Sequence, residues 1–414
     1  MKILFVSRLM SGFEKSLECK RWEPTGSPAM AHLIEHLDVD KAVDLTLVMT
    51  RSYGSVVDGS RLAELNNCNV SLQGLGTNIR VLSDKCPLIF PRKLRFLWVE
   101  VLHFLRIFCL VRQINPDLIY IDRSNWLIAG LLARLTQRPV FLRLLGIPPD
   151  MWRLDRSKAL FNWVMKWAYR SCFAYVLCSQ DGSGGKEWMD RYLAKSTPRS
   201  IMLNGVNQSN WSDYRDCFSC EAPVNVVLLG RVEKLKGADF FVDALLSVPP
   251  AQRKLFKPTI VGDGEALQDL VAKVQEAQCD DWVDFSGSLT LIDVEAVLGS
   301  ADVYVSLNLQ GHLSNSTLEA ISFGIPCIVR RLDGNEDPLG GIGHVLEKGA
   351  RAEISCNAQP SELASLLINL CSDPKKIKSM REVVKISRDH KLMPWSQRIA
   401  VEMDLIHSVA NQGL

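Results

Sequence analysis

Residues 301–329 read ADVYVSLNLQGHLSNSTLEAISFGIPCIV. An apolar, β-branched run (ADVYVSLN) is followed by a cluster of small polar residues, and a second such run (PCIV) closes the stretch. Between them Ser314 stands as an N-cap, residues 315–323 read as a short helix, and Gly324 ends it. Two apolar strands joined through a helix make a βαβ unit, whose strands run parallel and are covered on both faces.

Similar units are spaced along most of the chain. KILFVS, VDLTLVMT, IRVLS, DLIYID, PVFLRLLG and AYVLCS punctuate the first half, and VNVVLLG, KPTIVGDG, WVDFSG, PCIVRR and HVLEKG the second. The fold class is therefore α/β, with doubly wound, Rossmann-like sheets. At 414 residues the chain exceeds what one core usually supports. The pattern restarts near 224, after the polar, Pro-ended stretch WSDYRDCFSCEAP. That divides the chain into an N-terminal domain, 1–212, and a C-terminal domain, 213–390, facing a central cleft. Residues 391–414 form a last helix, begun after Pro394 and expected to pack back on the first domain.

Composition narrows the function. The chain is 47% hydrophobic and 23% charged with a net charge of +2, which argues against a nucleic-acid partner. MKILFVSRLMSGFEK is too short in its apolar core for a signal peptide and reads as a first strand. With no run of 18 apolar residues, no membrane span is expected. Twelve scattered cysteines, several in apolar company, suit reduced thiols and a cytoplasmic location. Cys217 and Cys220 have metal-ligand spacing but lack a second pair, so they read as incidental.

Two basic, aromatic stretches stay open between two readings. In 91–113, PRKLRFLWVEVLHFLRIFCLVRQ, the polar residues Arg92, Arg95, Glu100, His103 and Arg106 share one arc of a helix. In 151–170, MWRLDRSKALFNWVMKWAYR, three Trp accompany five basic residues. Helices packed on a sheet are one reading. Peripheral attachment to an anionic membrane, at the inner face of the plasma membrane, is the other.

Several short motifs fail on spacing. GDGEAL, 262–267, has Leu267 where a dinucleotide fingerprint needs its third Gly, and DGSGGKEW, 181–188, has Glu187 where a P-loop needs Ser or Thr. Asp38-Val39-Asp40 follows a helix and reads as a surface turn. No cluster of His, Asp and Glu at ligand spacing appears, so neither a metal nor another cofactor is expected.

One constellation survives. VNVVLLGRVEKLKGADFFVDALL places Gly230 and Arg231 at a strand's end, and Lys236 and Gly237 just before a helix. In such a sheet that edge is where phosphate is held. The helix begun at Ser314 turns its unpaired amides toward the same edge. Glu319, one turn inside, would repel phosphate but would accept hydrogen bonds from a ribose diol. Cations, helix start and diol-binding acid together suit a nucleoside diphosphate.

LLGRVEKLKGADFFVDALL, TIVGDGEALQDL, VDFSG, ADVYVSLN and LSNSTLEAISFGIPCIV, in that order, resemble the donor domain of family 4 glycosyltransferases of the GT-B fold. LNGVN, 203–207, resembles the turn before their interdomain linker. PTGSPAMAHLIEHL, NPDLIYIDRSNW and PVFLRLLG match the first domain more loosely. The resemblance implies a retaining, metal-independent hexosyltransferase that moves a sugar from a nucleotide-sugar donor to a saccharide or lipid-linked saccharide. Cell-surface polysaccharide assembly is the implied setting. It makes Arg231 and Lys236 the catalytic cations on the diphosphate and Glu319 the ribose ligand. Gly230, Gly311, His312, Leu313, Ser314, Asn315 and Ser316 complete the donor site; Gly26, Arg143 and Gly146 are expected on the acceptor side. Two departures stand out. Gly311 occupies the place of the acid that contacts the donor sugar, a contact left to Gln310 or His312, and Leu145 replaces a common His. A non-catalytic nucleotide-sugar-binding subunit is thus a rival reading, and an NAD enzyme a weaker one.

Overall fold

The computed structural model describes residues 1–9, 11–51, 67–84, 92–155, 160–207, 223–332 and 340–412. The chain divides into two units that interleave in sequence. The first comprises Met1–Ser179, Gly185–Met202 and Ser396–Leu414; the second comprises Gln180–Gly184 and Leu203–Trp395. The switch of unit falls at 202/203, ahead of the boundary expected at 212/213. That boundary, with Cys217 and Cys220, lies outside the described residues.

In the first unit the strands are β1 (Lys2–Arg8), β2 (Asp44–Thr50), β3 (Cys68–Val70), β4 (Ile79–Leu82), β5 (Leu118–Asp122), β6 (Val140–Leu144), β7 (Tyr175–Ser179) and β8 (Arg199–Met202). They form one sheet in the order β3-β4-β2-β1-β5-β6-β7-β8, parallel except for β3. Because side chains alternate along a strand, Leu4 and Val6 enter one core while Ile3 and Phe5 enter another. Both faces are dry, as a parallel sheet requires.

On the second of these faces Phe5, Tyr120, Phe141 and Tyr175 stack in a row, with successive ring centroids 4.7, 5.1 and 5.3 Å apart. The C-terminal helix Trp395–Gln412 covers them through Ile399, Met403 and Ile406. A buried polar cluster fixes it: Arg398 pairs with Glu402 at 2.7 Å, Arg143 lies 3.5 Å from the same carboxylate, and Tyr120 Oη donates to it. Burial and the neighbouring carboxylate push the Tyr120 hydroxyl well above its ordinary pKa, so it stays a donor.

Helix Arg92–Ile114 is the element the polar pattern misdescribes. Glu100 and His103 point inward, at 1% and 0% exposure, while Trp98, Val101 and Leu105 face solvent. The cause is partners distant in sequence. Arg8 Nη2 lies 2.6 Å from Glu100 Oε1, and Asp84 sits 3.7 Å from His103 Nε2. Burial, with Arg8 adding to it, lowers His103 to about 4 and keeps it neutral. Leu160 and Trp163 of helix Leu160–Tyr169 are also exposed, and the two helices meet where Phe96 and Phe161 pack edge to face at 6.0 Å. Among the described residues no helix is long and apolar enough to cross a membrane.

The second unit holds β9 (Val224–Leu229), β10 (Phe256–Val261), β11 (Asp284–Gly287), β12 (Val303–Ser306), β13 (Cys327–Arg330) and β14 (Arg351–Ile354). Its sheet is parallel throughout, in the order β11-β10-β9-β12-β13-β14. The order reverses between β9 and β12. At such a point the connections leave the carboxyl ends of neighbouring strands in opposite directions and open a crevice.

Candidate functional site

Both elements of the surviving constellation leave the sheet at that reversal. Gly230 follows β9 with φ 150° and donates to Val261 O at 3.0 Å. A Cβ placed on it would meet nothing within 4 Å, so the backbone is open to a ligand there. The Arg231 side chain is 74% exposed and pairs with the largely buried Glu233, whose Oε1 lies 3.2 Å away. Lys236 ends a tight turn, Lys234–Lys236, and is half-buried. Burial first, then the nearby Arg231 charge, lower its pKa, while Glu233 and Asp181 oppose the shift. Two cations held this close attract an anion of more than one charge.

Gly237 is required twice over. Its φ is 73°, and a Cβ would come within 2.6 Å of Leu307. Leu309 N donates to Leu235 O at 2.9 Å, tying the segment after β12 to the lysine turn. The failed fingerprint GDGEAL finds its use here. A Cβ on Gly262 would lie 1.9 Å from Gly230 O, and one on Gly264 would lie 2.4 Å from Val232 O. Those glycines let the Arg231 turn lie flat on the neighbouring loop.

After β12, Ser314 caps helix Asn315–Ser322 by accepting from Thr317 N at 3.4 Å. Ser314 Oγ lies 3.0 Å from both Ser316 Oγ and Thr317 Oγ1. Tyr304 Oη lies 3.2 Å from Ser316 Oγ and 3.2 Å from Leu229 O, so it joins the helix start to the end of β9. Asn315 is oriented by Asn204 at 2.7 Å. The helix closes in a Schellman motif: Gly324, at φ 74°, donates to Ile321 O, and Ile325 donates to Ala320 O. Half-buried Glu319 is raised to about 7 by burial, with Glu295 adding repulsion.

Arg231, Lys236, Ser314 and Ser316 thus come together around one crevice. Three other expected contacts take different roles. His312 is fully buried: Nε2 donates to Arg330 O at 2.6 Å, leaving Nδ1 to accept from Ser306 Oγ at 3.0 Å. Its ring is committed to the core, so it offers the donor no side-chain contact. Leu313 is likewise a core residue, at 1% exposure. Arg143 is 0% exposed and holds Leu144 O, Leu177 O and Ser179 Oγ besides Glu402, so it serves the core and lines no acceptor surface. Gly26 packs against Gly12, whose Cβ would fall 2.3 Å from Gly26 N, and Gly146 leaves β6 at φ 102°.

One member was missed by sequence reasoning. Residues 180–184, the stretch rejected as a P-loop, belong to the second unit, and Asp181 O accepts from Leu313 N at 3.2 Å. The signal was the Gly content of QDGSGG, which marks a backbone needing close approach. Among the described residues no group of three or more His, Cys, Asp or Glu converges as metal ligands would.

Residues 223–373 match the model of the group 1 glycosyl transferases. That match falls within the second unit. Within it lie Arg231, Lys236 and the 311–319 turn and helix. A 2-deoxystreptamine glucosyltransferase of Streptomyces kanamyceticus is 28% identical over 149 residues, 36% of this chain and 36% of that protein. The chain therefore matches about a third of that relative's length. Over nearly the whole chain the fold is that of GT-B glycosyltransferases. HepE of Anabaena, solved with UDP and glucose, superposes with a TM-score of 0.66 at 16% identity, covering 99% of this chain and 100% of that one. Sucrose-phosphate synthase of Thermosynechococcus elongatus gives 0.71 at 14% identity, with 98% of each chain covered.

Proposed function

We propose that the protein transfers a hexose from a nucleotide-sugar donor to an acceptor, with retention of configuration and without a metal. The observation that carries this reading is the grouping of Arg231, Lys236 and the Ser314-capped helix start at the β9/β12 reversal. As the glycosidic bond breaks, the sugar gains oxocarbenium character and negative charge grows on the departing diphosphate. Arg231, Lys236 and the helix amides stabilise that charge, each well-placed donor contributing about 3 kcal/mol. Glu319 accepts from the ribose hydroxyls. The likeness to HepE, solved with UDP-glucose, and to a glucosyltransferase supports trying UDP-glucose first.

The acceptor is a saccharide or lipid-linked saccharide of cell-surface glycan assembly, reached from the cytoplasmic face of the plasma membrane. Support comes from the exposed ridge of Trp98, Val101 and Leu105, flanked by exposed Arg106 and Arg112. An apolar ridge with basic edges suits an anionic lipid surface.

Thermal-shift screening against UDP, GDP and ADP and their sugars, then donor hydrolysis with the best hit, tests the first reading. Turnover should survive EDTA; a loss restored by added divalent metal refutes the metal-free scheme. Pelleting with anionic liposomes at low salt tests membrane contact, and its absence removes that part. Gly311 and Leu145 favour a second reading, a nucleotide-sugar-binding subunit without catalysis. Stabilisation by nucleotide with neither transfer nor hydrolysis establishes it instead.

A further inference from the structure

Residues 180–184 enter the second unit through a crossing of glycines. Gly182, Gly311, Gly340 and Gly341 have φ of 81°, 71°, 60° and 87°. A Cβ on Gly182 would fall 1.4 Å from Gly340 O, and one on Gly311 would fall 2.4 Å from Asp181 O. His312 N donates to Gly340 O and Leu313 N to Asp181 O, each at 3.2 Å. The backbone of Asp181 is therefore fastened to the turn that leads into the Ser314 cap, and no side chain at 311 can share that space. Asp181 is half-buried, and burial raises its carboxyl pKa against the lowering effect of Ser183 and Lys236. Oδ1 accepts from Ser183 N and Oγ, which fixes the loop as an Asx turn.

This carboxylate also lies within electrostatic reach of Lys236. An acid beside the diphosphate cations cannot bind phosphate itself, because like charges repel. It can bind neutral hydroxyls next to the phosphate, and in a nucleotide-sugar those belong to the sugar. Of the two polar side chains that flank Gly311, His312 has both ring nitrogens committed to the core, while Gln310 is half-buried and neutral. We propose that Asp181 is the donor-sugar contact, accepting hydrogen bonds from the hexose hydroxyls and setting sugar specificity from a loop that occupies the space beside Gly311. This rests on the nucleotide-sugar reading above and adds the residue that recognises the sugar.

Asp181→Asn tests it, since the amide oxygen keeps the Asx turn while the charge is removed. Calorimetry would compare wild type and variant for UDP, ADP and GDP and for the glucose, galactose, mannose and N-acetylglucosamine esters of each. The expected result is a bare-diphosphate affinity unchanged or tightened a few-fold, with affinity for the preferred sugar ester lowered about ten-fold. Equal shifts for diphosphate and sugar ester, or no shift in either, overturn the proposal. Gly311→Ala, which displaces the Asp181 backbone without changing charge, should give the same selective loss; a Gly311→Ala protein that keeps full preference for its sugar also overturns it. If wild type binds no nucleotide at all, the nucleotide-sugar reading itself has failed. That result is recognisable before any variant is made, and it removes this proposal too.

Discussion

Each sheet reverses its strand order once, at β1/β5 in the first unit and at β9/β12 in the second, and the sequence treats the two places differently. At β1/β5 the polar groups close on one another. Asp122 accepts from Ser7 Oγ at 2.7 Å, Arg8 N at 2.6 Å and Ser124 N at 2.7 Å, while Arg8 reaches Glu100. Arg8 and Glu100 are 6% and 1% exposed. At β9/β12 Arg231 is 74% exposed and its ion pair with Glu233 is open to solvent on the guanidinium side, where such a pair contributes little, while Lys236 is half-buried beside it. The topology offers a crevice in both units. What differs is how fully the polar groups at the crevice are buried against one another.

The contrast can be broken by substitution. Glu100→Ala strands a buried Arg8 and should cost about 3–5 kcal/mol of stability, read from denaturant unfolding, while nucleotide affinity holds. Lys236→Ala should do the reverse: an unchanged melting temperature and turnover lowered about 100-fold. Near-normal turnover removes Lys236 from the mechanism.

A pH series sharpens the comparison further. Glu319 titrates at about 7 when folded, against 4.5 as its ordinary value. Between those values the folded chain keeps a proton the unfolded chain has lost, so this group's contribution to stability falls as pH rises through the window. Above about 7 the penalty is constant. Glu319→Gln should therefore gain on wild type from about pH 5 upward, with the difference levelling above about pH 7. Nucleotide affinity of wild type should rise through the same window, because the ionised carboxylate accepts both ribose hydroxyls; the Gln variant should be flat. Smallest of all, Ser314→Ala loses one cap and should lower stability by about 1 kcal/mol.

Local signals made much of this readable. The Arg231 and Lys236 turn, the Ser314 cap and the Gly324 stop are written in a few adjacent residues, and so is the strand-helix alternation. Helix Arg92–Ile114 departs from its polar pattern because Glu100 and His103 count as polar in any periodicity. Whether they face water depends on Arg8 and Asp84, which the helix itself does not contain. Arg143 failed for the same reason, its partner Glu402 lying near the other end of the chain. Asp181 is not legible in its own stretch, because the glycines that seat it, 311 and 340, come much later in the chain.

The interleaving of the units also bears on synthesis. The chain passes between them at 179/180, 184/185, 202/203 and 395/396. A growing polypeptide ordinarily completes its N-terminal domain first. Here the aromatic row on the first sheet stays uncovered until Ile399, Met403 and Ile406 emerge, so the first unit to begin is the last to be finished. A nascent chain stalled near residue 395 would hold the second unit with all its segments present and a first sheet still open on one face.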